Sequence, residues 1–195
     1  MNARTPQDLL THVSEAWDRD IVSQLSDYIA IPAKSPAFDA DWAQHGHIET
    51  VVQRAADWVL AQRVAGLTLE VVRLPGRTPV LFFEVAATRP SHAGSETVLM
   101  YGHLDKQPEF SGWRADLGPW SPKYEDGKLY GRGGADDGYA LYASIAAIQA
   151  LKAQGSTHPR IVGLIETCEE SGSADLPPYI DALRPRLGHV GLVMC

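Results

Sequence analysis

A chain of 195 residues, 45% hydrophobic and 21% charged, has room for one domain with a real core or for a large piece of a bigger one. Its formal net charge of −7 argues against nucleic-acid binding, which needs a basic face, and no basic cluster rescues that idea. The polar start without an apolar h-region, the lack of any membrane-length apolar run and the mere two cysteines, Cys168 and Cys195, argue against a secretory leader, a membrane span and a disulfide framework, so a reducing cytoplasm is expected.

In chain order, Leu9, Leu10, Val13, Trp17, Ile21, Leu25 and Ile29 recur mostly every three or four positions. That spacing predicts an amphipathic helix from Pro6 to about Ile29, ended by Pro32 and Pro36. A second helix is expected from about Ile48 to Arg63, with Val51, Val52, Ala55, Trp58 and Val59 as its buried stripe and Gly66 as its stop. The period then changes. LTLEVV (67–72), PVLFFEV and ETVLMYGH are rich in β-branched and aromatic residues and read as strands.

A loop containing prolines and tryptophans runs from Gln107 to Pro122, followed by a hairpin in KYEDGKLYG with its turn at Asp126-Gly127. A third helix is expected from Tyr139 to about Gln154, then a strand in RIVGLIET, a helix or loose turn, and a last apolar strand in GHVGLVMC. Helices alternating with buried strands predict an α/β fold, a mixed, mostly parallel sheet layered by helices. The apolar run stopping at Cys195 without a turn or polar cap leads us to expect a catalytic domain incomplete at its C-terminal side.

Three polar clusters lie past a strand or before a helix, where sites form in such sheets. In Gly102-His103-Leu104-Asp105, a histidine suited to zinc stands two residues from a carboxylate that can fix its tautomer; a polar turn is the plainer alternative. Asp136-Asp137, set in a glycine-dense run before the third helix, can cap that helix or bridge two metal ions. The glycines favour the latter by implying a close-approaching group. Glu169-Glu170, in the loop after RIVGLIET, repel each other unless a cation intervenes; the alternative is a solvated acidic turn. One Glu can ligate a metal while the other serves as base for a water. Together a histidine, a shared aspartate and a glutamate pair form a donor set for a zinc hydrolase.

The segments MYGHLDKQP (100–108), GKLYGRGGADDG (127–138) and ETCEESGS (166–173) resemble the two-zinc metallopeptidases that include aminoacylases, carnosinase-type dipeptidases, glutamate carboxypeptidases and succinyl-diaminopimelate desuccinylases. The resemblance covers about Asp20 to the end. It implies that His103 is a ligand to one zinc, Asp105 the carboxylate that orients it, Asp136 the aspartate bridging both metals, Glu169 the general base and Glu170 a ligand to the other zinc. It also implies a cis peptide at Asp136–Asp137, and two zinc ions per complete site, with cobalt or manganese as alternative metals. Substrates would be small peptides or N-acyl amino acids, and a homodimer is an option in full-length relatives.

Two departures stand out. The family often has lysine after the aspartate pair, where this chain has Gly138-Tyr139. A further acidic ligand after a strand like GLVMC, a far C-terminal histidine and the inserted lid or dimerisation domain are also missing. Residues 1–195 are therefore expected to be the N-terminal portion of the catalytic domain, with each zinc short of one ligand. His45-Gly46-His47 reads as a solvated approach to the second helix, and His12, His92, His158 and His189 have no motif context.

Overall fold

The computed structural model describes residues 5–88 and 96–195; His92 lies outside them. The first expected helix is a single rod in three parts, α1 (Pro6–Ala16), a wide π turn (Trp17–Ile21) and α2 (Val22–Ile29). Thr5 caps α1 and forms a reciprocal capping box with Asp8. The expected apolar stripe is buried only in the second half, from Ile21 through Leu25 to Ile29. In α1, Leu9, Leu10 and Val13 instead border an apolar groove shared with Val98, Met100, Leu151 and Met194. A one-turn helix α3 (Trp42–His45) precedes α4 (His47–Ala61). The stripe read from the sequence is the buried face of α4, which stops before Gly66, since Arg63 already takes a positive φ of 49°.

The sheet has five strands, β1 (Leu67–Val72), β2 (Val80–Val85), β3 (Thr97–His103), β6 (Ile161–Glu166) and β7 (Val190–Met194), in the order β1-β2-β6-β3-β7. It is mixed, as expected. Parallel pairing does not dominate, however: β1–β2 and β2–β6 are antiparallel, whereas β3–β6 and β3–β7 are parallel. The reason is the short link between β1 and β2, which allows only a hairpin-like return, whereas parallel neighbours need a crossover. The hairpin β4 (Lys123–Glu125) and β5 (Lys128–Tyr130) forms a separate ribbon. Its turn residues Asp126 and Gly127 both have positive φ, 51° and 74°, the backbone that an Asp-Gly hairpin turn requires.

Strand alternation splits the core in two. Leu81, Phe83 and Val85 face one cluster with Val52 of α4 and Ile145 of α5 (Tyr139–Ala153). Val80 and Phe82 face the other, with Tyr179 and Leu183 of α6 (Leu176–Leu187). The segment left open between helix and loose turn is thus a helix, and it carries Pro185 inside. Central strand β6 is buried throughout. A Cβ on Gly163 would fall 1.9 Å from the Phe83 ring, so the glycine lets the aromatic ring cross the strand. Among the described residues no helix is long and apolar enough to cross a membrane.

Candidate metal centre

The parallel pair β3–β6 places His103 opposite Glu166 at the carboxyl ends of both strands, the edge where ligand sites form. Three loops meet there: the extended run after β3, the glycine-rich run before α5, and the turn after β6. His103 is 5% exposed. Its Nδ1 is 3.1 Å from the Asp105 carbonyl oxygen and 3.4 Å from the Asp105 carboxylate, which leaves Nε2 facing Asp136 Oδ1 at 3.3 Å and Glu169 Oε2 at 3.7 Å.

Asp105 is fully buried, and its contacts exceed the orienting role that the resemblance implies. Its two carboxylate oxygens accept the backbone N–H groups of Glu169 and Glu170 at 3.1 and 3.0 Å. One side chain therefore aligns the imidazole and pins the glutamate turn. Burial alone would pull the His103 pKa down, but the hydrogen bond and charge of Asp105, with Asp137 and Glu169 nearby, raise it to about 9. The same crowding of anions in a partly buried space raises the Glu170 and Asp137 carboxyls, with desolvation as the leading cause for both.

The aspartate pair does not cap α5. Gly138 occupies that position and no side chain bonds to the cap. Asp136 and Asp137 depart from helical backbone and are joined by a cis peptide, as the resemblance implied. Asp137 turns inward, its Oδ2 accepting the His103 backbone N–H at 3.2 Å, while the Asp136 side chain stays largely exposed toward His103 Nε2. The groups that press on the neighbouring glycines are protein side chains. A Cβ on Gly133 would lie 2.8 Å from Lys106 Cγ, and one on Gly131 would lie 2.2 Å from Ile29.

Among the described residues, His103, Asp136 and Glu170 each offer a ligand atom within 4.8 Å of the others. Glu170 Oε1 is buried and has no hydrogen-bond partner. A buried carboxylate oxygen without a donor is costly, and a cation between these groups removes the cost; imidazole and carboxylates suit a divalent ion. The residues present therefore fit a metal. Glu169 stands at the same opening, with its side chain two-fifths exposed.

Other features were not foreseen. Lys106, next in the chain, is fully buried, with its Nζ donating to the carbonyls of Tyr28 and Ile31 at 2.6 and 2.7 Å. Desolvation lowers its pKa to about 7. Gln107 donates its side-chain amide to Glu170 Oε2. Period-two alternation from His103 through Asp105 was the available signal for Gln107. Beneath the turn, buried Glu166 accepts from Tyr101 at 2.5 Å and Ser173 at 2.9 Å. His45 pairs with Asp39 at 2.8 Å, and His158 is buried.

Residues 99–194 match the model of peptidase family M20/M25/M40. The chain is 32% identical over 173 residues to human Beta-Ala-His dipeptidase, covering 86% of this chain and 33% of that protein. It is 42% identical over 73 residues to succinyl-diaminopimelate desuccinylase of Methylobacillus flagellatus, covering 37% of this chain and 20% of the relative. The crystal structure of human carnosine dipeptidase 1 superposes with a TM-score of 0.71 at 26% identity, over 98% of this chain and 41% of that one. The chain thus spans at most a third of the length of these two curated relatives.

Proposed function

Because the chain belongs to the M20/M25/M40 peptidase family, we propose that His103, Asp136 and Glu170 hold zinc in a centre that hydrolyses peptide or N-acyl amide bonds. The observation that carries this reading is the grouping of His103, Asp136 and Glu170, each offering a ligand atom within 4.8 Å of the others, beside a buried Glu170 Oε1 that has no hydrogen-bond partner. Bound zinc would supply positive charge that polarises an amide carbonyl and acidifies water. Within the centre, His103 binds through Nε2, held in register by Asp105, and Asp136 presents its carboxylate from the opposite loop. Glu169, held at the rim by the Asp105–backbone bond, takes a proton from the attacking water and returns it to the departing amine.

His103, Asp136 and Glu170 supply only part of the ligand set that the resemblance implies, so turnover is proposed for a centre in which the remaining ligands are provided. The substrate class is a small peptide or N-acyl amino acid, and the proposed setting is the cytoplasm, consistent with the free thiols Cys168 and Cys195. Zinc titrated into the metal-free chain by calorimetry is expected to bind, and Asp136→Ala to abolish binding. No uptake by the unsubstituted chain would refute the metal reading.

A second reading, a non-catalytic chain that associates with another, is favoured by one feature. Strand β7 lies at the sheet edge with Leu192, Val193 and Met194 about half exposed, and such an edge invites pairing. Sedimentation of a strictly monomeric chain would count against it.

A further inference from the structure

From the extended run after β3, we propose that Gln107 is a positioning residue that selects which oxygen of Glu170 is presented to the metal; the inference rests on the zinc reading above. In extended backbone every second side chain points the same way. His103, Asp105 and Gln107 follow that rule and all turn toward the centre, whereas Leu104 and Lys106 are buried on the other side. The three inward residues divide the work. His103 is the ligand, Asp105 holds the ring of His103 and the backbone of Glu169 and Glu170, and Gln107 holds the Glu170 side chain.

The chemistry of the contact fixes its direction. An ionised carboxylate only accepts, so the Gln107 amide must present its N–H₂ to Glu170 Oε2. Glu170 has two oxygens and only Oε2 is so engaged; Oε1 remains buried without a donor. Backbone contacts cannot make this distinction, because the Asp105 bond reaches the Glu170 N–H and leaves its side-chain torsions free. Gln107 therefore blocks rotation of the carboxylate and keeps one oxygen for the cation. Partners of this kind that hold a ligand typically contribute a factor of about 10 to 100 in metal affinity.

The test uses the full chain and zinc, with affinity read by competition against a chromophoric chelator. Gln107→Met, close in shape but without a donor, is expected to weaken zinc binding by about 10- to 100-fold while the unfolding midpoint stays within error. Gln107→Leu, likewise without a donor, should lose affinity to the same degree. A fall in the metal-free unfolding midpoint that accounts for the affinity loss would mean a general structural role and overturn the inference, as would zinc binding by Gln107→Met equal to that of the unsubstituted chain. If the unsubstituted chain binds no zinc, the metal reading falls and takes this inference with it.

Discussion

Replacing Asp105 tests whether one buried carboxylate organises the centre. Asp105→Ala leaves the Glu169 and Glu170 N–H groups, now at 3.1 and 3.0 Å from its oxygens, without their acceptor. It also leaves a protonated His103 without the counter-charge beside its Nδ1. Hydrogen bonds to a charged group contribute about 1.5–3 kcal/mol each, so the two bonds set a ceiling of about 3–6 kcal/mol. Part of this is offset because a buried carboxylate no longer has to be desolvated, which brings the expected loss to about 2–4 kcal/mol. Asp105→Asn keeps one acceptor oxygen and should fall roughly midway. With a urea slope of about 2 kcal/mol/M, the alanine midpoint drops by about 1–2 M in metal-free buffer. In parallel, the His103 pKa, raised to about 9 chiefly by Asp105, should move down toward or below its ordinary value of about 6.5 by NMR. A midpoint shift under about 0.5 M together with an unmoved His103 would refute the reasoning.

Two buried groups set opposing pH trends in the metal-free chain. The His103 pKa is raised to about 9, so its stabilisation is complete below about pH 6.5 and lost as pH rises through 9. The Lys106 pKa is lowered to about 7, so its penalty is full below 7 and fades toward the unfolded value near 10.4, making stability rise with pH. Urea midpoints in EDTA should therefore change little from pH 7 to 9, and Lys106→Met should uncover a decline; identical profiles would contradict this. Gly163→Ala drives a Cβ to 1.9 Å from the Phe83 ring and should cost at least about 1–3 kcal/mol, or prevent soluble expression. Asp136→Ala, whose side chain is 68% exposed, should leave the thermal midpoint within about a degree while zinc binding disappears.

Periodicity and turn chemistry determined most of the fold. The 3.6-residue stripe of α4, the β-branched runs of β1, β2 and β6, and the Asp126-Gly127 turn are local patterns, and they hold because the same side chains that favour each element also cover the core. The motif residues likewise named the candidate donors and bases of the proposed centre, since imidazole and carboxylate groups are suited to those roles. Local pattern stopped at relations between elements. It did not reveal that β2 lies antiparallel to β6, because strand pairing depends on contacts between distant segments rather than on propensity.

Local pattern also failed at α1, whose apolar stripe is left unburied; periodicity marks a face but not what covers it. Lys106 is the sharpest case. A lysine in a loop reads as solvated, yet tertiary packing closes the end of α2 and Gly133 over it, and only that enclosure lowers its pKa. So too for Gln107, an ordinary polar residue in sequence, and for Asp137, whose contact with the His103 backbone its place in the aspartate pair did not reveal. They matter because folding brings three loops to one sheet edge, where Asp137 accepts the backbone N–H of His103 and Gln107 donates to the Glu170 carboxylate.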